Sequence, residues 1–525
     1  MGVTLLPPTY PAMSAPGNGM GVAPPLALGN SAATTAANNI VPFRQPAPPA
    51  PWAQPPQRVQ SFTSPSGTPI HLYVLGNGHR VLVEQRPTDV ISMRTFINAG
   101  SINENPIFSS GLYGPTGSPS GIAHLDEHCH FLTTQHFPVK NSWVAAVEQL
   151  GSQLNASTGY EVIQHELFFN KEALPQMIRL HGEAVMHPLY NRDLLVQEKR
   201  NVLNEASERT ASPEAQIYNK TLELLFDRPH FQSLGVRQDV INTSAEQLQT
   251  FFNRYYTPTN MLTVISGDVN PETVVAQLNE DFGSNPNRGG PNNASLKIAL
   301  KPGEIRSATV YDPQLTYGVV NLTFPAPGKN NLKDRVAMEC LLTLLNDGAL
   351  SLFQRYLQDQ WKLATEVGVE YMPTKTAGMA QIGFHTTPGD EKQALGATLA
   401  ILKRMNDKPI SAEKLQEVKN KLLYGYQRSL NDAEVVTSLM GSEALTGTLT
   451  YFNHYADLVG SITPDDIQRV AQQYLNPQSY VLVYGLPGPQ RALSNTTVVQ
   501  GQPQQPNAFQ TATIPTVVYP VGGPM

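Results

Sequence analysis

Apolar and polar positions change period several times along the middle of this chain. In "HLYVLGNGHRVLVEQ" (71–85) strand-type residues stand on either side of Asn77-Gly78, a pattern that predicts a β-hairpin. "SMRTFINAG" and "VIQHELFFN" read as further strands. "GIAHLDEHCHFL" reads as a helix, and "SWVAAVEQLG" as a helix closed by Gly151. Two longer stretches, "LPQMIRLHGEAVMH" and "NRDLLVQEKRNVLNEASER", repeat apolar residues at three and four spacings and predict amphipathic helices. The mixture is an α+β body from roughly 66 to 486.

The body contains itself twice. "SAEQLQTFFNRYYTPTNMLTVIS", from Ser244, resembles "TPDDIQRVAQQYLNPQSYVLVYG", from Thr463. The match sets Gln249 against Gln468, Tyr255 against Tyr474 and Pro258 against Pro477. Each stretch reads as a capped acidic start, a helix, a Tyr-x-x-Pro turn and a β-rich strand. "EKRNVLNE" matches "VKNKLLYG" at nearly the same offset, Lys199 against Lys419. Two matches at nearly one offset predict duplicated units of about 220 residues.

Composition changes at both ends. Residues 1 to about 60 hold 13 of the 44 prolines, and the first acidic residue is Glu84. After Arg491 no residue is charged. Such segments bury too little apolar surface to offset their ordering entropy, and are expected to be disordered tails. Across the chain 40 % of residues are hydrophobic and 15 % charged, which suits a water-facing globular body. A net charge of -6 gives no basic field for nucleic acid. No apolar run reaches the roughly 18 residues of a membrane span. The first basic residue is Arg44, so a charged leader is not legible and a cytoplasmic location is expected.

Two cysteines, Cys129 and Cys340, cannot build a disulfide framework or an all-thiolate zinc site. Any metal must use imidazole and carboxylate. On a helix, His124 and His128 share a face and Glu127 lies beside them. Two imidazoles one turn apart can bind one Zn²⁺, with Glu127 placed as a general base. The order is the inverted His-x-x-Glu-His motif. By spacing alone, a zinc centre and an ordinary helix face both stay open. His130 is expected to point elsewhere, Asp126 to be a surface acid, and Cys129 a small apolar filler.

The motif and its neighbours resemble the pitrilysin/insulinase zinc peptidases, which include mitochondrial processing peptidase. The likeness rests on "GIAHLDEH", "NGHRVLVE", "LGSQLNASTGYEV", "QEKRNVLNEASE" and "FFNRYYTPTNMLTVISGDVNPE", and covers about 70 to 490. It implies that Glu205, in "QEKRNVLNEASE" well downstream of His128, is the third zinc ligand. Glu198, earlier in the same stretch, is implied to orient a ligand. Asn155 and Ala156 are implied to lie on a strand whose edge takes an extended peptide. The fold implied is α+β: two homologous domains, each an antiparallel sheet with helices packed on one side, flanked by disordered tails. The expected boundaries are 1–65 for the first tail, 66–285 for the zinc domain, 300–486 for a second, catalytically empty domain, and 487–525 for the second tail.

One departure stands out. Active single-chain relatives carry an Arg and a Tyr seven apart in the second half. Here the aligned positions hold Gln358 and Thr365, no Arg in the chain has a Tyr at that spacing, and Gly425 stands opposite Glu205. The expectation is a zinc endopeptidase subunit acting on unstructured peptides, with a homologous partner supplying that pair as a heterodimer; a homodimer is the other assembly. A non-catalytic scaffold subunit is the alternative. A lyase on a related fold is disfavoured by the two large repeats.

Overall fold

In the computed structural model the described residues are 54–104, 118–226, 234–291, 295–348 and 351–489, with the strand backbone at 497–500. They form two sheets flanked by helices. The first has seven strands: β1 (Gln57–Thr63), β2 (Pro69–Val74), β3 (Arg80–Gln85), β4 (Val90–Ile97), β5 (Gln153–Thr158), β6 (Ile163–Asn170) and β7 (Met261–Gly267), in the order β1-β2-β3-β7-β4-β6-β5. The second has six: β8 (Glu304–Asp312), β9 (Gly318–Pro327), β10 (Glu366–Pro373), β11 (Ala377–Thr386), β12 (Tyr480–Pro487) and β13 (Thr497–Gln500), in the order β10-β11-β9-β12-β8-β13.

The internal repeat is visible in this topology. Read from the other edge, β5-β6-β4-β7-β3 and β10-β11-β9-β12-β8 are the same order of the same five chain-ordered strands. The helices that supplied the sequence match, Ala245–Tyr255 and Pro464–Tyr474, both begin in a capping box, at Ser244 and at Thr463. Each sheet departs from pure antiparallel pairing at one corresponding pair, β3 with β7 and β8 with β12, which run parallel.

Helices pack on both faces of each sheet, not on one. In β4, β7 and β3 alternate residues point opposite ways. Met93, Ile265, Val81 and Val83 face the core made with Leu174–Met186, Ala245–Tyr255 and Pro271–Phe282. Phe96, Leu262, Val264 and Leu82 point to the other side and join the apolar cluster of the second half. There the helix Ala433–Thr446 lies against β4 and β7. Reciprocally, the helix Pro213–Phe226 of the first half covers the second sheet, with Ile217, Leu222 and Leu225 against Val310, Val481 and Val483. The two helices start at Pro213 and Ala433, the same offset that relates Lys199 to Lys419, so the exchange is part of the repeat. Their strands are apolar on both faces, as in "MLTVIS", which is the pattern of a sheet covered twice.

Polar contacts tie the exchanged helix down. Arg94 Nε donates to Thr437 Oγ1 at 3.1 Å, and the hydroxyls of Ser92 and Thr437 lie 2.7 Å apart. Gly441 allows close approach, because a Cβ there would stand 2.1 Å from Phe96 Cε2.

The ordered body starts earlier than expected. Gln57–Thr63, inside the segment read as a tail, pairs with β2 as an edge strand, since its backbone can complete the ladder although its side chains are largely exposed. The Thr497–Gln500 backbone likewise pairs with β8. The remaining tail residues, 1–53, 490–496 and 501–525, lie outside the described set. No helix among the described residues is long and apolar enough to cross a membrane.

The exchange predicts that the halves unfold together. Gly441→Val should lower stability by about 1–3 kcal/mol through overpacking against Phe96. Calorimetry should then show one transition moved to lower temperature. An unmoved midpoint, or one half melting apart from the other, contradicts the interlock.

Candidate metal centre

The motif helix, Ile122–Cys129, is anchored at its start by a carboxylate from far upstream. Glu104 accepts from Gly121 N at 2.8 Å and from Ala123 N at 3.1 Å. This satisfies amide donors that have no partner within the helix and sets negative charge at its positive end. Gly121 is left-handed, with φ 86°, and is pressed against Gly235, whose Cβ would meet Gly121 Cα at 2.3 Å. The second helix, Arg192–Thr210, is capped by Asn191, whose side chain accepts from Asp193 N and Leu194 N. Leu195, Glu198, Val202, Glu205 and Arg209 follow one another at three and four spacings and make one stripe. Leu195, Glu198 and Val202 are buried, so the stripe faces the motif helix.

These two helices bring His124, His128 and Glu205 together, with one potential ligand atom from each within 4.8 Å of the others. The Nε2 atoms of His124 and His128 lie 3.2 Å apart. Glu205 Oε2 is 3.5 Å from His124 Nε2 and 3.3 Å from His128 Nε2. Glu198 Oε1 lies 2.7 Å from His128 Nδ1, and its Oε2 accepts from Asn201 Nδ2 at 3.1 Å. Arg209 pairs with the other oxygen of Glu205.

The electrostatics suit a cation. Burial drives the His124 imidazole down to about 3, which keeps it neutral. Burial also opposes charge on His128, but hydrogen bonds to Glu198 and Glu205 outweigh it and carry that ring up to about 10. Burial works against Glu205 as well, yet the His128 hydrogen bond, with the nearby Arg209 and His128 charges, holds its carboxyl near 2. Two imidazole nitrogens and a carboxylate oxygen converge here, and a metal would displace the proton that His128 carries. A Zn²⁺ ion fits that donor set, which is the His₂Glu type with a position left for a further ligand.

Glu127, beside His128, is 5 % exposed and accepts from Thr158 Oγ1 at 2.6 Å. Burial lifts its carboxyl to about 7. Thr158 ends β5, which also carries Asn155 and Ala156 and forms one edge of the first sheet. Asn155 Nδ2 donates to Glu166 Oε1 at 2.8 Å, and Ala156 is buried.

Asp126 is not a surface acid. It is fully buried and accepts from Tyr190 Oη at 2.5 Å, with His130 Nε2 3.4 Å from its other oxygen. Tyr190 is remote in the chain, and nothing local in the sequence signals it. His130 points away from the site: its Nδ1 is 2.7 Å from Ala184 O and its ring stacks on Tyr256. Cys129 is buried among apolar residues. Sequence reasoning also passed over Glu104 and Arg209. Glu104 lies well before the helix it anchors, whereas Arg209 falls on the stripe that Glu198 and Glu205 define.

At the corresponding part of the second half, Gln358 Nε2 donates to Thr365 O at 2.9 Å. Gln358 and Thr365 thus bond within their own segment, which includes a π-helical turn, Gln354–Gln360. Tyr371 donates to Pro327 O at 2.7 Å.

A two-sheet repeat carrying an inverted His-x-x-Glu-His helix defines a class of peptidase folds. Residues 80–231 match the family model for insulinase, peptidase family M16, and residues 242–422 match that for the peptidase M16 inactive domain. The chain belongs to this pitrilysin/insulinase family. It is 22 % identical over 412 residues to the zinc protease PqqE of Helicobacter pylori, covering 77 % of this chain and 92 % of the relative. It is 28 % identical over 218 residues to the mitochondrial-processing peptidase subunit beta of Dictyostelium discoideum, covering 40 % and 42 % of the two chains. Pitrilysin shares the fold, with a TM-score of 0.69 at 17 % identity over 86 % of this chain and 49 % of that one.

The burial of Asp126 has a measurable consequence. Asp126→Ala strands the Tyr190 hydroxyl and should destabilise the protein by about 1–3 kcal/mol in urea titration. A loss below about 0.5 kcal/mol is the behaviour of a surface acid and contradicts the burial.

Proposed function

We propose that this chain is the catalytic subunit of a zinc endopeptidase that cleaves extended, unstructured peptides. The observation that carries the reading is the convergence of His124, His128 and Glu205, with Glu198 on the far nitrogen of His128. A scaffold has no chemical need for four such groups in one place. The names of relatives such as PqqE support zinc as the metal.

Zinc held by these three residues supplies Lewis-acid polarisation and acidifies water. The protein's own groups do the rest. Glu198 keeps the His128 ring oriented, with Nε2 turned to His124 and Glu205. Thr158 holds one oxygen of Glu127, which leaves the other to accept a proton and return it to the departing amine. The β5 edge near Asn155 and Ala156 offers main-chain groups to a peptide, on the same strand as Thr158, the partner of Glu127. Strand addition demands an extended substrate, which is why unstructured peptides are the substrate class.

With Gln358 and Thr365 at the aligned positions, no Arg and Tyr seven apart are present to donate to a developing oxyanion. We assign that role to a partner subunit of the same family that carries Arg and Tyr seven apart. The relative named as a beta subunit of a processing peptidase supports a two-subunit arrangement. The same vacancy favours the second reading, a scaffold subunit without turnover of its own.

One experiment separates these readings: hydrolysis of a quenched, unstructured peptide by wild type and Glu127→Gln, each alone and mixed with an Arg/Tyr-bearing homologue. The lone wild type should be slow, since one missing oxyanion donor costs about 2.7–4 kcal/mol. The mixture should turn over, and Glu127→Gln should reduce it by about 10²–10⁴-fold with zinc content unchanged. Equal hydrolysis by Glu127→Gln contradicts the assigned base. Full turnover by the lone chain contradicts the divided site, and none in any mixture favours the scaffold.

A further inference from the structure

Glu205 turns only one oxygen to the imidazoles. Its Oε2 faces His124 and His128, while Oε1 is taken by Nη2 of Arg209, one helical turn further on. Arg209 completes the stripe of Leu195, Glu198, Val202 and Glu205, and its side chain is 30 % exposed. A guanidinium next to a cation site is electrostatically adverse, because like charges repel. What it offers in return is geometry: a planar fork of donors that fixes the orientation of a carboxylate.

We propose that Arg209 is a positioning residue that holds Glu205 as a one-oxygen ligand, doing for the carboxylate what Glu198 does for His128. The inference rests on the reading that His124, His128 and Glu205 hold zinc. Glu205 sits partly exposed on a long, flexible side chain, so without Arg209 its carboxylate samples other rotamers and Oε2 is no longer held toward the two rings. The outer partner of a metal ligand acts in this way through orientation, and its loss typically weakens metal binding about 10–100-fold.

The positioning role and a bystander charge differ in sign. Removing a mere neighbouring cation strengthens the hold on zinc, whereas removing a positioning residue weakens it. Zinc affinity of the full chain is measured by competition with a chromophoric chelator for wild type, Arg209→Ala, Arg209→Lys and Arg200→Ala. Arg200 is exposed on the same helix, so Arg200→Ala makes the same charge change away from the stripe. The expected result is about 10–100-fold weaker zinc in Arg209→Ala, partial recovery in Arg209→Lys, and no change in Arg200→Ala. Equal or tighter zinc in Arg209→Ala overturns the proposal, as does an equal loss in Arg200→Ala. The thermal midpoint of the zinc-free chain is read alongside. It should move little, because an exposed i,i+4 ion pair contributes only about 0.3–0.5 kcal/mol. A large drop there assigns Arg209 to the fold and overturns the proposal. A wild type that takes up no zinc overturns instead the reading of the site itself.

Discussion

A sheet has two faces, and in this chain each half covers its own sheet on one face and the other half's sheet on its far side. Phe96, Leu262 and Val264 would meet water if Ala433–Thr446 were absent, and Val481 and Val483 would do so without Pro213–Phe226. Full burial of one such side chain is worth about 1.5–3 kcal/mol, so each half draws stability from the other. The strands β4 and β7 of the first sheet therefore depend on a helix that the chain reaches only late in its second half. The first half holds the candidate ligands, and the second half covers the far face of its sheet.

The site is built by two helices that bury ionisable groups between them. Such groups are tolerated because each is answered: Glu198 by His128 and Asn201, Glu205 by His128 and Arg209, Glu127 by Thr158, Asp126 by Tyr190. The answers come from several elements, which is what fixes the rings and carboxylates in direction. Glu104 adds a fixed start to the motif helix. The same contacts that stabilise the protein thus aim the His128 imidazole and the Glu205 carboxylate.

Much of this was legible in the residues. The Asn77-Gly78 hairpin, the capped helix at Ser244 and its copy at Thr463, and the shared face of His124 and His128 are local patterns, and local patterns survive folding. The third candidate ligand was reached through resemblance, since no rule of helical spacing links Glu205 to His128 across the strands and helices between them. Asp126 was misjudged because its partner lies on a distant loop. The second covered face was missed although "RVLVE" and "MLTVIS" carry apolar residues at consecutive positions, a pattern one-sided sheets do not need. Arg209 was passed over for a different reason. An arginine at the solvent end of an amphipathic helix looks ordinary until the stripe it shares with Glu198 and Glu205 is drawn.

The most direct test of the account is the identity of the atoms around the metal in the purified, zinc-loaded chain, read by X-ray absorption at the zinc edge. The account predicts one zinc per chain with two imidazoles and light oxygen donors in the first shell, at the roughly 2.0–2.2 Å of zinc–nitrogen and zinc–oxygen bonds, and loss of the imidazole signal in His124→Ala/His128→Ala. A spectrum with sulfur in the first shell, or an unchanged spectrum in the double variant, would place the metal elsewhere and contradict it.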